Sequence, residues 1–107
     1  MKYNVFLISD AEEDIFEIYN YVAANDLPGN ADALFDNLHK TCLKLESFPE
    51  RGHIPPELER INVLGFLEIH FKPYRIIYQI IGNEVYIHSI LDGRRDIQDI
   101  LQKRLLR

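Results

Sequence analysis

Polar side chains that could take part in binding or catalysis concentrate in two short stretches, residues 73–78 (Pro-Tyr-Arg-Ile-Ile-Tyr) and residues 90–96 (Ile-Leu-Asp-Gly-Arg-Arg-Asp). In the second stretch, Arg94 and Arg95 stand just before a predicted helix, whose positive N-terminal end disfavours cations. We therefore expect a carboxylate or another anionic group to stabilise the two guanidiniums. That group belongs either to a binding partner or to the neighbouring aspartates, as a cap and salt-bridge cluster.

The first stretch lies on a predicted strand, where successive side chains alternate between the two faces of a sheet. Tyr74 and Tyr78 therefore share one face, and Arg75 points to the other. Tyrosines on an apolar strand suit core positions that leave the hydroxyl at the rim.

The four histidines, His39, His53, His70 and His88, are 14, 17 and 18 residues apart in the sequence. None of them forms the i, i+4 pair with which a helix binds zinc, and the sequence has no glycine-rich phosphate loop, so we expect no metal and no cofactor. His88 and Ser89 are strand neighbours predicted to point to opposite faces, which argues against a nucleophile and base pair. His70 and His88 would form a proton-transfer pair only if their strands are adjacent.

Composition predicts one soluble domain covering residues 1–107. A chain of this length removes roughly two thirds of its unfolded surface from water, which is enough for a core without disulfides. The single cysteine, Cys42, fits a helix core position, and the chain opens on no signal-peptide pattern, so we expect a cytoplasmic protein. The longest apolar runs are far below the roughly 18 residues that a membrane span requires.

Charge is distributed unevenly along the chain, whose net charge is −5. Residues 1–60 hold five Lys and Arg against twelve Asp and Glu, whereas residues 61–107 hold seven against five. The acidic excess argues against general nucleic-acid binding, which depends on a surplus of cations. Two explanations of the asymmetry stay open, solvated acidic helix faces and the steering of a partner.

Hydrophobic periodicity predicts a strand at residues 3–8 followed by two helices. Ser9 is the predicted N-cap of the first helix, which ends near Asn25. Apolar residues recur at helical spacing in both helices, Ile15, Ile18, Tyr19 and Val22 in the first and Leu34, Leu38, Cys42 and Leu45 in the second. Turn residues 26–30 join the helices into an antiparallel hairpin.

In the second half of the chain, apolar residues recur with a different spacing. Prolines interrupt residues 49–60 and predict a surface loop. Alternation then predicts strands at 61–71, 74–81 and 84–91, with Leu64 and Phe66 indicating partial cover of the second sheet face. A last amphipathic helix carries Ile97, Ile100, Leu101 and Leu105. The order β-α-α-β-β-β-α predicts an α+β fold, with the helical hairpin on an antiparallel sheet of about four strands and strand 1 at an edge.

Taken together, these stretches resemble the ParE/RelE toxin superfamily of bacterial type II toxin-antitoxin modules, and its ParE-like branch in particular. The resemblance covers nearly the whole chain and is carried by residues 9–15 (Ser-Asp-Ala-Glu-Glu-Asp-Ile), 48–52 (Phe-Pro-Glu-Arg-Gly), 56–58 (Pro-Glu-Leu), 74–78 and 90–96. It implies a small α+β toxin that is held inactive by an antitoxin, usually a ParD-like ribbon-helix-helix DNA-binding protein whose C-terminal segment wraps the toxin.

A helical hairpin packed on a sheet has an exposed groove and an exposed sheet edge. Features of this kind bind an amphipathic helix or an added strand of a partner. We expect an antitoxin to cover the apolar side chains that lie off the main core stripes, Phe16, Tyr21, Leu43, Leu64 and Phe66. The alternative is a broader core that includes them.

The resemblance also implies an activity, because ParE-like members poison DNA gyrase whereas RelE-like members cut mRNA on the ribosome. RNA cleavage requires a proton acceptor, a proton donor and cations for the phosphorane charge. Here the net charge is −5, residues 61–71 contain no Lys or Arg, and the place of the nuclease tyrosine falls near Ile100.

We therefore expect a gyrase inhibitor without enzymatic activity, sequence-specific nucleic-acid binding or membrane contact. The residues expected to contact the target are Arg75, Arg94, Arg95, Lys103 and Arg104. A ribosome-dependent mRNA interferase and a non-toxic module that only binds antitoxin are the alternatives.

Overall fold

The computed structural model describes residues 2–27 and 29–105 and has the predicted α+β architecture. Its strands are β1 (Asn4–Leu7), β2 (Leu67–Phe71), β3 (Tyr74–Ile81) and β4 (Glu84–Asp92), and its helices are α1 (Ser9–Asn25), α2 (Asn30–Leu43), α3 (Pro56–Arg60) and α4 (Ile97–Leu105). Within the described residues no helix combines the length and the apolar character needed to cross a bilayer. Pro28, in the turn predicted between α1 and α2, lies outside the described residues.

The four strands form one sheet in the order β1-β4-β3-β2. β1 lies at an edge, as predicted, but the prediction of an antiparallel sheet is wrong for this strand, which runs parallel to β4 from Asn4↔Glu84 to Leu7↔Ile87. The sheet is therefore mixed. Hairpins impose antiparallel pairing on β2, β3 and β4, whereas β1 and β4 are joined by most of the chain and no tight turn sets their direction.

Helices cover both faces of the sheet. On one face, α1 and α2 enclose a core with β3 and β4 that contains Ile15, Leu38, Ile76, Tyr78 and Ile87. On the other face, α3 and α4 enclose a second core that contains Leu58, Phe66, Ile77, Leu91 and Leu101. The partial cover predicted for the second face is thus helical, and the fold has helices on two sides of the sheet.

The main differences from the predicted elements lie at three places. Ser9 is the first helical residue and not the cap, because Ile8 takes the N-cap position in extended backbone without a side-chain hydrogen bond. The predicted loop 49–60 contains α3, which starts with Pro56 at a position where a missing N–H costs nothing. β2 begins at Leu67 and not at residue 61, because Asn62 and Gly65 adopt positive φ angles that interrupt an extended chain.

Tyr78 anchors the segment before α3 to the first core. The prediction that its hydroxyl lies at the rim is wrong, since the side chain is fully buried and the hydroxyl donates a 2.6 Å hydrogen bond to the carbonyl of Pro49. The same oxygen accepts a 3.2 Å hydrogen bond from the N–H of Gly52. A Cβ at position 52 would lie 2.4 Å from that oxygen, so only glycine permits this approach.

Candidate functional site

Two of the cations predicted to contact a target are tied into the fold by carboxylates. Arg104 of α4 donates from both terminal nitrogens to Asp14 of α1, at 2.7 and 2.6 Å, and its Nη1 also donates to Ser89 at 2.9 Å. Asp14 is only 4% exposed and accepts a third hydrogen bond from the backbone N–H of Ile90. Hydrogen bonding to Asp14 raises the pKa of Arg104. Through these contacts Arg104 joins α4 to α1 and β4.

Arg75 is enclosed by two carboxylates on the face of the sheet that carries α3. Its guanidinium donates to both oxygens of Glu57 and to both oxygens of Glu68, each at 2.7 Å. Burial alone would raise the pKa of Glu68, but hydrogen bonds from Arg75 and His70 outweigh burial and leave that pKa below its ordinary value. Arg75 is thus held inside a charge network and does not present a free cation to a partner.

The other three predicted cations are exposed. Arg94 is 76% exposed and donates from Nε to Asp92 at 2.9 Å, so a neighbouring aspartate supplies the stabilising carboxylate. Lys103 pairs with Asp99 one turn earlier on α4, at 3.0 Å. Arg95 is also exposed, and its side chain has no ion pair among the described residues. The cations available to a partner therefore surround the start and the outer face of α4.

A cavity of about 590 Å³ opens beside Arg94 and Arg95, between α1 and the end of β4. Tyr21 of α1 and Tyr74 of β3 also line it. The structure thus brings together two predicted target residues and Tyr21, which was assigned to antitoxin binding. We refer to this feature, lined by Tyr21, Tyr74, Asp92, Arg94 and Arg95 together with the carboxylates of Asp14 and Glu17, as the arginine cleft.

A second groove of about 560 Å³ lies between α1 and α2 and is largely apolar. Its walls carry Phe16, which is 65% exposed, and Phe35, whose ring meets that of Tyr19 edge to face at 6.3 Å. Tyr19 in turn donates a 2.8 Å hydrogen bond to Asp32, which links the two helices. We refer to this feature, lined by Phe16, Tyr19, Asp32, Phe35 and His39, as the hairpin groove.

The residues predicted to bind antitoxin do not form one surface. Phe16 lines the hairpin groove and Tyr21 the arginine cleft. Leu43 and Leu64 are exposed but line neither feature. Phe66 is only 8% exposed and packs in the second core, so it belongs to the broader core given as the alternative. Sequence reasoning missed Phe35, although its position four residues before His39 on an amphipathic helix is a usable signal.

The condition for a proton-transfer pair of His70 and His88, adjacent strands, is not met. β3 separates His70 on β2 from His88 on β4, which excludes a direct proton-transfer pair. The rings of His53 and His70 instead lie 5.1 Å apart. His88 Nδ1 lies 2.7 Å from the Ser89 hydroxyl, contrary to the prediction that they diverge. A bulge explains this contact, because Ile77 pairs with Ser89 and Tyr78 with Ile87, which leaves His88 as an extra residue.

Cys42 is 1% exposed in the first core, which confirms its predicted core position. Burial raises the pKa of its thiol to about 12. The described residues therefore offer ion-pair networks, an apolar groove and a cleft that carries two exposed arginines among carboxylates.

Comparisons with known proteins identify the family and the fold of the chain. Residues 5–97 match the family model described as the ParE toxin of the type II toxin-antitoxin system parDE. The chain is 26% identical over 91 residues to Toxin ParE3 of Caulobacter vibrioides, and the match covers 85% of this chain and 87% of that protein.

Two solved structures share the fold. A chain from the chromosomal ParDE toxin-antitoxin system of P. aeruginosa is similar with a TM-score of 0.70 and 18% identity, covering 83% of this chain and 94% of that chain. A chain from the toxin-antitoxin complex RelBE2 of Mycobacterium tuberculosis is similar with a TM-score of 0.64 and 19% identity, covering 86% and 92%. The family match extends over most of the sequence and includes both helices of the hairpin groove and the arginine cleft. The chain therefore belongs to the ParE toxin family of type II toxin-antitoxin systems.

Proposed function

We propose that this toxin acts by binding DNA gyrase, without enzymatic activity of its own, and that a ParD-like antitoxin neutralises it. The observation that supports the proposal is which arginines are paired inside the fold and which are exposed. Arg75 and Arg104 are committed to carboxylates inside the fold, whereas Arg94, Arg95 and Lys103 are exposed around α4, where a protein surface could dock.

A nuclease makes different demands from a binding protein. Cleavage of RNA needs free cations aimed at the phosphorane and a pair of proton-transfer groups close to them. Here His53 and His70 both lie against the carboxylate of Glu68, which would repel a phosphate. A binding protein needs neither feature, because it shifts the equilibrium of its target by preferring one state.

The arginine cleft is the proposed target surface. Arg94, which is paired with Asp92, and Arg95 stand exposed at its rim, and Lys103, which is paired with Asp99, is exposed further along α4. Tyr21 and Tyr74 add aromatic surface, the residue type that most often anchors protein interfaces beside arginine. Charge at such a rim mainly speeds association with an acidic surface.

The hairpin groove is the proposed antitoxin site. An amphipathic helix placed between α1 and α2 would bury Phe16 and Phe35, which water now contacts. Glu12 and Asp32 line the same groove, so the antitoxin segment is expected to combine apolar side chains with a cation.

Supercoiling of relaxed plasmid by purified gyrase tests the proposal. We expect the toxin to inhibit supercoiling and to cause cleaved DNA to accumulate, and we expect prior addition of the antitoxin encoded beside it to abolish both effects. If supercoiling is not inhibited and no cleaved DNA accumulates, codon-positioned mRNA cleavage in a translation extract would instead identify an mRNA interferase. Absence of all three effects, with growth unaffected by expression, would indicate a module that only binds antitoxin.

A further inference from the structure

Three side chains that the proposed function does not use point their polar atoms at one another. Glu68 Oε1 lies 2.7 Å from His70 Nε2, and Glu68 Oε2 lies 3.6 Å from His53 Nε2. The possible ligand atoms of the three residues all lie within 4.8 Å of one another. Two imidazoles and one carboxylate therefore converge on a single point of the surface.

The backbone fixes this convergence. Glu68 and His70 are two residues apart on β2, so their side chains share a face of the sheet. His53 comes from the segment before α3 but pairs with Glu68 through two backbone hydrogen bonds, of 3.1 and 2.8 Å, in an antiparallel bridge. The two chain segments thus hold all three side chains in place, although His53 and His70 are separated by 17 residues of sequence.

Arg75 orients the carboxylate from behind. It donates one hydrogen bond to each oxygen of Glu68, which leaves the remaining lone pairs directed at the histidines. Glu57 neutralises Arg75 in turn. A carboxylate that is held by outer hydrogen bonds, with exposed imidazoles beside it, has the construction of a metal ligand with its supporting shell.

The net charge of the cluster favours the binding of a cation. Glu57 and Glu68 contribute two negative charges and Arg75 one positive charge, so the network retains one negative charge beside the histidines. Glu68 is only 1% exposed, and an unbalanced charge at that depth is costly. The side chains of His53 and His70 are 61% and 41% exposed, so a cation can reach the cluster from solvent.

We propose that His53, Glu68 and His70 bind a divalent transition-metal ion, with Zn²⁺ as the ion that the ligands suit best. Two imidazoles and one carboxylate form a common three-ligand set for zinc, whose fourth position is left to water. Bond lengths of about 2.0–2.1 Å at tetrahedral angles place ligand atoms about 3.3 Å apart. The 3.6 Å separation of His53 from Glu68 is close to that value, and His70 has only to withdraw by a fraction of an ångström.

Zinc titration of tag-free protein, first treated with EDTA and dialysed, tests the site. We expect binding of one Zn²⁺ per chain by calorimetry. Because the ion would tie the segment before α3 to β2, we expect the thermal midpoint to rise by about 10 °C at a zinc concentration one hundred times Kd. Co²⁺ in place of Zn²⁺ is expected to give the visible absorption of a tetrahedral site with nitrogen and oxygen ligands.

Matched variants separate this site from unspecific binding. His53→Ala and His70→Ala each remove one exposed imidazole and are expected to lower zinc affinity at least about tenfold. His39→Ala removes an exposed imidazole on α2 and is expected to leave zinc affinity unchanged. Circular dichroism in EDTA checks that each variant is folded. The proposal is overturned if the folded wild-type protein binds no zinc, or if His53→Ala and His70→Ala bind it as the wild type does.

Discussion

Arg104 and Asp14, which are 90 residues apart in the sequence, form a bidentate ion pair that joins the last described helix to the first. We expect Arg104→Ala to lower the free energy of unfolding by about 3 kcal/mol, because the buried Asp14 carboxylate would lose its ion-pair partner. Lys103→Ala removes a neighbouring exposed cation and is expected to cost less than about 0.5 kcal/mol. Urea unfolding of both variants measures the difference. Equal losses would show that the ion pair does not stabilise the fold.

The two exposed arginines of the arginine cleft are predicted to serve the target and not the fold. Arg94→Ala combined with Arg95→Ala is expected to weaken gyrase inhibition by at least about tenfold, because an interface that loses arginines typically loses more than about 1.4 kcal/mol. Thermal stability and antitoxin affinity are expected to stay near wild type. Lys40→Ala, an exposed cation on α2, is the control. Parallel loss of inhibition and of antitoxin binding would point to unfolding instead.

Phe16 is predicted to anchor the antitoxin in the hairpin groove. Phe16→Ala is expected to weaken antitoxin binding by about 10- to 100-fold while gyrase inhibition persists, because truncation removes a large apolar contact of the interface. Phe48→Ala is a matched control, since that ring is 64% exposed, close to the 65% of Phe16, and lies outside the groove. Calorimetric titration with the antitoxin distinguishes the variants. A similar loss in both would contradict the placement of the antitoxin.

The thiol of Cys42 is predicted to be inert in the folded protein. Its pKa of about 12 keeps it protonated at pH 8, and the core keeps reagents away from it. A thiol-specific reagent such as Ellman's reagent is expected to label the native chain only at the rate of unfolding, and to label it fully in denaturant. Fast labelling of native protein at pH 8 would show that the core opens at Cys42.

The sequence was sufficient to predict the elements whose signals are local. Apolar residues spaced at three and four positions predicted α1 and α2, and alternation around Gly82 and Asn83 predicted β3 and β4 to within one residue. The direction of β1 could not be predicted, because it depends on pairing with a strand about eighty residues away.

Most of the site depends on contacts that no local pattern reports. The periodicity of α4 identified its buried face, but nothing near Arg104 indicated that Asp14 would neutralise it. Residues 49–60 were predicted as a loop on the basis of their prolines, so the approach of His53 to β2 stayed hidden. The same interpretation missed α3, which positions Glu57 against Arg75. Arg94 and Lys103, which pair with aspartates two and four residues away, had their partners within reach of a local pattern.

Helix α1 forms a wall of both the hairpin groove and the arginine cleft, through Phe16 on one side and Tyr21 on the other. The same helix therefore belongs to both proposed binding surfaces. If an occupant of one surface lowers the affinity of the other by displacing α1, linkage requires that an occupant of the second surface lower the affinity of the first by the same factor. Under such coupling, an antitoxin in the hairpin groove would weaken target binding at the arginine cleft without covering that cleft, and a target bound there would weaken antitoxin binding to the same degree.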